Sequence, residues 1–116
     1  MSQEVVAELA PNGILRAGIN MSNPLLVTGK TDAGDPAGVS PDMARAIAER
    51  LGVEVKYVPF PSPGVLADAV DDDAYDIGLI AAEPARAESI AFTSAYVEIE
   101  ATYLVPAGSP LAVIDD

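Results

Sequence analysis

Arg86 is a side chain of this sequence suited to hold a ligand. A guanidinium presents paired donors that match the two oxygens of a carboxylate. It sits in Glu83-Pro84-Ala85-Arg86, a run that predicts the start of a short helix. The first N–H groups of such a helix, around Glu83 to Ala85, could add donors for a negative group. The competing role is an ordinary surface Arg paired with Glu83 or Glu88.

Ser22 and Asn23 follow the first strand, at the end where open α/β sheets bind ligands. They can donate or accept hydrogen bonds, although Asn23-Pro24 also suits a plain turn. Phe60, after the second long strand, offers an apolar or stacking wall, or simple packing. Asp71-Asp72-Asp73 invites a calcium reading, but it lacks the spaced oxygen ligands of a calcium loop. A solvated helix end is expected there, and Asp32 and Asp35 are expected in a polar loop. No metal and no cofactor is expected.

The composition narrows the chemistry further. The 116 residues include neither Cys nor His, which excludes disulfides, thiol nucleophiles and His-based acid/base catalysis. Eighteen acidic residues against six basic ones give a formal net charge of −12. Nucleic acid and anionic lipid head groups carry the same sign, and no Lys/Arg cluster offsets it locally. Both are therefore set aside as partners. Half the residues are hydrophobic but few are aromatic, so the core must be built from Val, Ile, Leu and Ala. No apolar run approaches the roughly 20 residues that span a bilayer. The N-terminus has neither the basic start nor the apolar stretch of a signal peptide.

Strands and helices alternate along the chain. Residues 1–12 predict an arm or short helix ended by Pro11-Asn12-Gly13. Ile14 to Asn20 is a first strand, and Leu25-Leu26-Val27 a short extended segment before a polar loop. Ser40 is the expected N-cap of the clearest helix, with Pro41 at its first position, Asp42 in its first turn and Gly52 as its stop. Val53 to Val58 alternates as a strand does. Gly64 to Val70 predicts a short helix, and Tyr75 to Ile80 a strand central in a sheet. Ile90-Ala91-Phe92 is expected as a brief strand and Val97 to Val105 as a longer one. The pattern argues for an α/β fold with a mostly parallel twisted sheet and flanking helices.

The order of these pieces resembles the family 3 solute-binding proteins of bacterial ABC transporters. The likeness runs from Gly13 to about Leu111. Gly13 to Asn20 resembles the family's opening strand, and Gly38 to Ala48 with Leu51-Gly52-Val53 its first helix and following strand. Tyr75-Asp76-Ile77, Pro84 to Glu88 and Ile90 to Tyr96 resemble the block before the hinge, and Thr102 to Pro106 the strand that enters it.

The resemblance implies a single lobe of a two-lobed, periplasmic-binding-protein-like type II fold. Residues 1–12 would be an arm, 13–105 the first lobe, and 106–116 hinge and tail. A chain ending there would lack the second lobe and part of its own sheet, which favours self-association or strand exchange. The resemblance places Arg86 on the solute's carboxylate and Tyr96 at the hinge rim. Members that bind amino acids usually carry Ser or Thr hydroxyls just before the Arg, where this chain has Ile80-Ala81-Ala82-Glu83. Ala81 and Ala82 can offer only backbone groups, which shifts the expectation to a small, carboxylate-bearing solute more generally. The implied role is that of a periplasmic transport component, not an enzyme, delivering solute to an ABC permease. The alternatives are a cyclohexadienyl dehydratase-like enzyme, for which Glu83 is the obvious carboxylate near Arg86, and a ligand-sensing module.

Overall fold

Parallel pairing requires a crossover between strands, and this chain uses helices for it. The computed structural model describes residues 3–98, 104, 106–108 and 110. In chain order the elements are α1 (Gln3–Leu9), β1 (Ile14–Asn20), β2 (Gly29–Lys30), β3 (Pro36–Ala37), α2 (Val39–Leu51), β4 (Glu54–Phe60), α3 (Pro63–Asp68), a 3-10 turn (Val70–Asp72), β5 (Ile77–Leu79) and α4 (Pro84–Ala87). β1 lies in the middle of a three-stranded parallel sheet of order β4-β1-β5. It pairs with β4 over its whole length, Ile14 against Glu54 through Asn20 against Phe60, and with β5 from Ala17 against Ile77. β2 and β3 form a small antiparallel hairpin closed by a Thr31 N–H bond to the Asp35 carbonyl, 2.7 Å.

The period of two in β1 assigns its side chains to opposite faces. Leu15, Ala17 and Ile19 are buried against α2, whose Ala44, Ala48 and Leu51 face them. Small alanines let the helix approach the sheet closely. Gly18 lies on the other face, where the Tyr75 ring sits so near that a Cβ would be 3.1 Å from it. Gly78 is covered in the same way by Leu66 of α3 and by Tyr75. Leu66 is fully buried, which is worth about 2 kcal/mol of apolar transfer. The result is a helix–sheet–helix sandwich, the mixed α/β architecture expected.

Several local expectations are replaced by non-local contacts. The helix expected to start at Ser40 starts at Val39, with Gly38 as N-cap and no side-chain capping bond. The Leu26 carbonyl accepts the Ser40 N–H at 3.1 Å, and the buried Ser40 hydroxyl instead bonds the Tyr96 hydroxyl at 2.9 Å. Ser62 is the residue that caps with its side chain, its Oγ accepting from the Val65 N–H at 3.2 Å. Gly52 ends α2 in the left-handed conformation as expected, φ 73°.

β5 is shorter than its predicted strand and lies at a sheet edge among the described residues, not at the centre. Ile90-Ala91-Phe92 is irregular, with no strand beside it among the described residues. Of the expected strand Val97 to Val105, only Val97, Glu98 and Leu104 are described, and none is in a strand; the remainder, with most of 106–116, lies outside the described residues. No helix among the described residues is long and apolar enough to cross a membrane.

Candidate functional site

The carboxyl ends of β1, β4 and β5 point the same way, because the three strands are parallel. The loops that follow them therefore meet at one end of the sheet, where ligands of open α/β folds bind. That end carries Asn20, the last residue of β1, with Met21 to Asn23, Phe60, the last of β4, with Pro61 and Ser62, and Ile80 to Arg86 after β5. A Met21 N–H bond to the Phe60 carbonyl, 2.9 Å, holds the first two loops together.

The third loop is set by an ion-pair cluster further down the sheet. Arg16 Nη2 lies 2.9 Å from Asp76 Oδ1 and 2.8 Å from Asp73 Oδ1. The Arg16 N–H donates to Asp76 Oδ2, and the Asp76 N–H to the Arg16 carbonyl, both at 2.8 Å. This exchange fixes where β5 begins, and so where residues 80–86 emerge. Asp71, Asp72 and Asp73 are exposed at the end of the 3-10 turn, as expected, and Asp73, at a left-handed φ of 54°, also reaches Arg16.

Burial would raise the Asp76 carboxyl, but its hydrogen bonds and charge contact with Arg16 outweigh that and hold it below the ordinary aspartate value of 3.8. A carboxyl whose folded value is depressed stabilises the fold above its unfolded value. That contribution disappears as pH falls below about 3.8 and through the lower folded value. Asp76→Asn should lower the melting midpoint by several degrees at neutral pH. It should also flatten the fall in stability on acidification, as read from thermal unfolding at several pH values.

Arg86 is the one base lining the large cavity at this end of the sheet, among the described residues. Its side chain is only 15% exposed. Nη1 donates to the Ala81 carbonyl at 2.9 Å, a bond that folds the guanidinium back over its own loop. Glu83 Oε1 lies 3.6 Å from the same nitrogen, a loose ion pair with a carboxylate that is 56% exposed. Nη2 and Nε have no partner among the described residues. The Arg86–Glu83 pairing weighed from the sequence is thus present, but it leaves two nitrogens on the guanidinium open to a ligand.

The other candidates divide. Asn23, Ala81, Ala82, Glu83 and Arg86 line one cavity of about 870 Å³. Asn23 Oδ1 accepts from the Leu25 N–H at 3.0 Å, so its oxygen serves the turn. Ala81 and Ala82 are exposed and contribute backbone, of which the Ala81 carbonyl is taken by Arg86. Ser22 is exposed and does not line the cavity; its hydroxyl is turned onto Asn20 Oδ1 at 2.8 Å. Phe60 also lies off the cavity, meeting Tyr75 edge-on at 5.7 Å. The Tyr75 hydroxyl is spent on the Leu66 carbonyl at 2.7 Å.

Sequence reasoning passed over Asn20, which lines the cavity and organises Ser22. A lone polar residue closing an apolar strand at its carboxyl end was the available signal. The cavity continues past this cluster along the edge of β5, reaching Ile47 and Val70, and is bordered by residues 89–97. Tyr96 borders it too, anchored on Ser40. The sector with the chemistry is the one around Arg86.

The model of the bacterial extracellular solute-binding proteins, family 3, matches residues 15–114 of the chain. No curated protein matches it. Among solved structures, a mutant of ArgBP from T. maritima aligns with a TM-score of 0.66 at 28% identity, covering 79% of this chain and 40% of that one. The arginine-bound form of domain 1 from TmArgBP, also a mutant, aligns at 0.63 and 24% identity, covering 93% and 78%. An ancestral cyclohexadienyl dehydratase aligns at 0.68 and 24% identity, covering 84% and 40%. The last two likenesses concern the fold alone. The chain spans about two fifths of the length of the first and third of these structures.

Proposed function

Because the chain belongs to the bacterial extracellular solute-binding proteins of family 3, we propose that it forms one wall of a cleft that binds a small polar, carboxylate-bearing solute. An amino acid or a related organic acid fits this description. The observation that carries the reading is Arg86: a side chain only 15% exposed at the carboxyl end of the sheet, held by the Ala81 carbonyl, with Nη2 and Nε uncommitted among the described residues. A second lobe would close over the solute, and contacts to both lobes would supply the free energy of closure. The closed form would deliver solute to an ABC permease outside the cytoplasmic membrane. The family's description as extracellular supports that setting.

A dehydratase is the second reading. It is favoured by one observation, the Glu83 carboxylate 3.6 Å from Arg86, which provides an acid beside a cation that could hold an acidic substrate. A thermal-shift screen of the protein at its full natural length, over amino acids, small carboxylates and prephenate, separates the two. The binding reading expects stabilisation by a carboxylate solute with no product formed. Turnover of prephenate would replace it with the enzyme.

A further inference from the structure

Glu83 stands where it competes with any incoming carboxylate for Arg86. Its Oε1 is 3.6 Å from Arg86 Nη1, beyond hydrogen-bond length, and it makes no capping bond to the turn it precedes. Glu83 is not needed to hold Arg86 in place, since the Ala81 carbonyl does that at 2.9 Å. The only other acid lining the cavity among the described residues, Asp76, is committed to Arg16. Glu83 is therefore the carboxylate that a bound solute must face.

We propose that Glu83 is a specificity-determining residue of this site, selecting against solutes whose charges are all negative and favouring those that carry a cationic group beside the carboxylate. The proposal rests on Arg86 being the carboxylate partner. A solute carboxylate on Nη2 or Nε comes within a few ångströms of Glu83, at the rim of a partly desolvated site. Like charges at that separation repel appreciably at the dielectric of a protein surface. A second carboxylate on the solute adds to the repulsion. An ammonium or guanidinium group reverses the sign, because Glu83 can then take it as a partner. The chain's net charge of −12 acts in the same direction over longer range and is weakened by salt. The specific effect of Glu83 acts at short range and should persist at 0.15 M salt.

Calorimetric titration at full natural length tests this with one five-carbon series: glutarate, pentanoate, norvaline and ornithine. The wild type should bind norvaline and ornithine better than pentanoate, and glutarate worst. Glu83→Gln should improve glutarate by about tenfold and weaken ornithine by a similar factor, from the loss of one close charge contact. Its melting midpoint should stay near that of the wild type, because Glu83 is exposed and its ion pair is loose. If the ratio of ornithine to glutarate affinity is unchanged in Glu83→Gln while Arg86→Ala abolishes binding, Glu83 has no selective role and the Arg86 site stands. A uniform loss across all four probes in Glu83→Gln would make it a support for the loop and overturn the proposal. If Arg86→Ala leaves binding intact, or no probe binds, the Arg86 site falls and the selectivity assigned to Glu83 falls with it.

Discussion

Arg86→Ala should weaken binding of a carboxylate solute by about two orders of magnitude, on the order of 3 kcal/mol, because it removes the charged partner of a desolvated group. The loss should appear as a faster dissociation rate, with little change in melting temperature. Among the described residues Arg86 bonds only the Ala81 carbonyl and, loosely, Glu83, so the core of α2, β1 and α3 does not depend on it. Arg86→Lys should recover part of the affinity, since an ammonium keeps the charge but not the paired donors. Titration of both variants with the same solute checks this. Equal affinity of Arg86→Ala and wild type would contradict the assignment.

Gly38→Ala should be the most damaging small substitution in the chain. Gly38 has φ 139° and ψ −168°, a region open essentially to glycine alone. An added Cβ would also collide with the Leu26 carbonyl, the atom that receives the Ser40 N–H. Strain and collision together should cost about 3 kcal/mol, or roughly 15 °C in melting midpoint for a domain of this size. Gly52→Ala is the control. Gly52 is also left-handed, at φ 73°, but has open space around its Cα and should cost only about 1 kcal/mol. Thermal unfolding by circular dichroism reads both. Equal small losses would mean that the start of α2 is not built on Gly38. The consequence extends to the site, because Leu26 and Ser40, both held by this turn, line the cavity.

The elements with strong internal periodicity were readable from sequence. β1 and α2 stand where the sequence puts them, and Gly52 marks the end of α2. Each of these depends on residues close in the chain. The spacing of Met43, Ala46, Ile47 and Leu51 suggests the buried face of that helix, but Ala46 is exposed and the small Ala44 and Ala48 are buried with Leu51. What was not readable depends on distant partners. Ser40 has every local feature of an N-cap, but Leu26 reaches its N–H and Tyr96 its hydroxyl. Tyr75 and Asp76 look like strand residues, yet one is drawn over Gly18 and Gly78 and the other onto Arg16, leaving a strand of three. Ile90-Ala91-Phe92 has strand composition without a neighbouring strand to pair with among the described residues.

The candidate site divides along the same line. The position of Arg86 was legible because Glu83-Pro84 punctuates the end of an apolar strand. Its bond to the Ala81 carbonyl was not, because a backbone acceptor has no sequence identity. Ala81 and Ala82 seemed to weaken the site by lacking hydroxyls. The geometry gives Ala81 a positive use, since its carbonyl takes Nη1 and leaves Nη2 and Nε without a partner among the described residues. Ser22 and Phe60 had suitable chemistry and a suitable place in the chain, but short-range bonding to Asn20 and packing on Tyr75 occupy them.

Solute is expected to bind at the carboxyl ends of β1 and β5, on Arg86. The most direct measurement is the structure of the full-length protein with the stabilising solute bound. The solute's carboxylate should lie within hydrogen-bond distance of Arg86 Nη2 and Nε, with Asn20 and Asn23 beside it. A solute bound elsewhere, with Arg86 still turned only to Ala81 and Glu83, would contradict it.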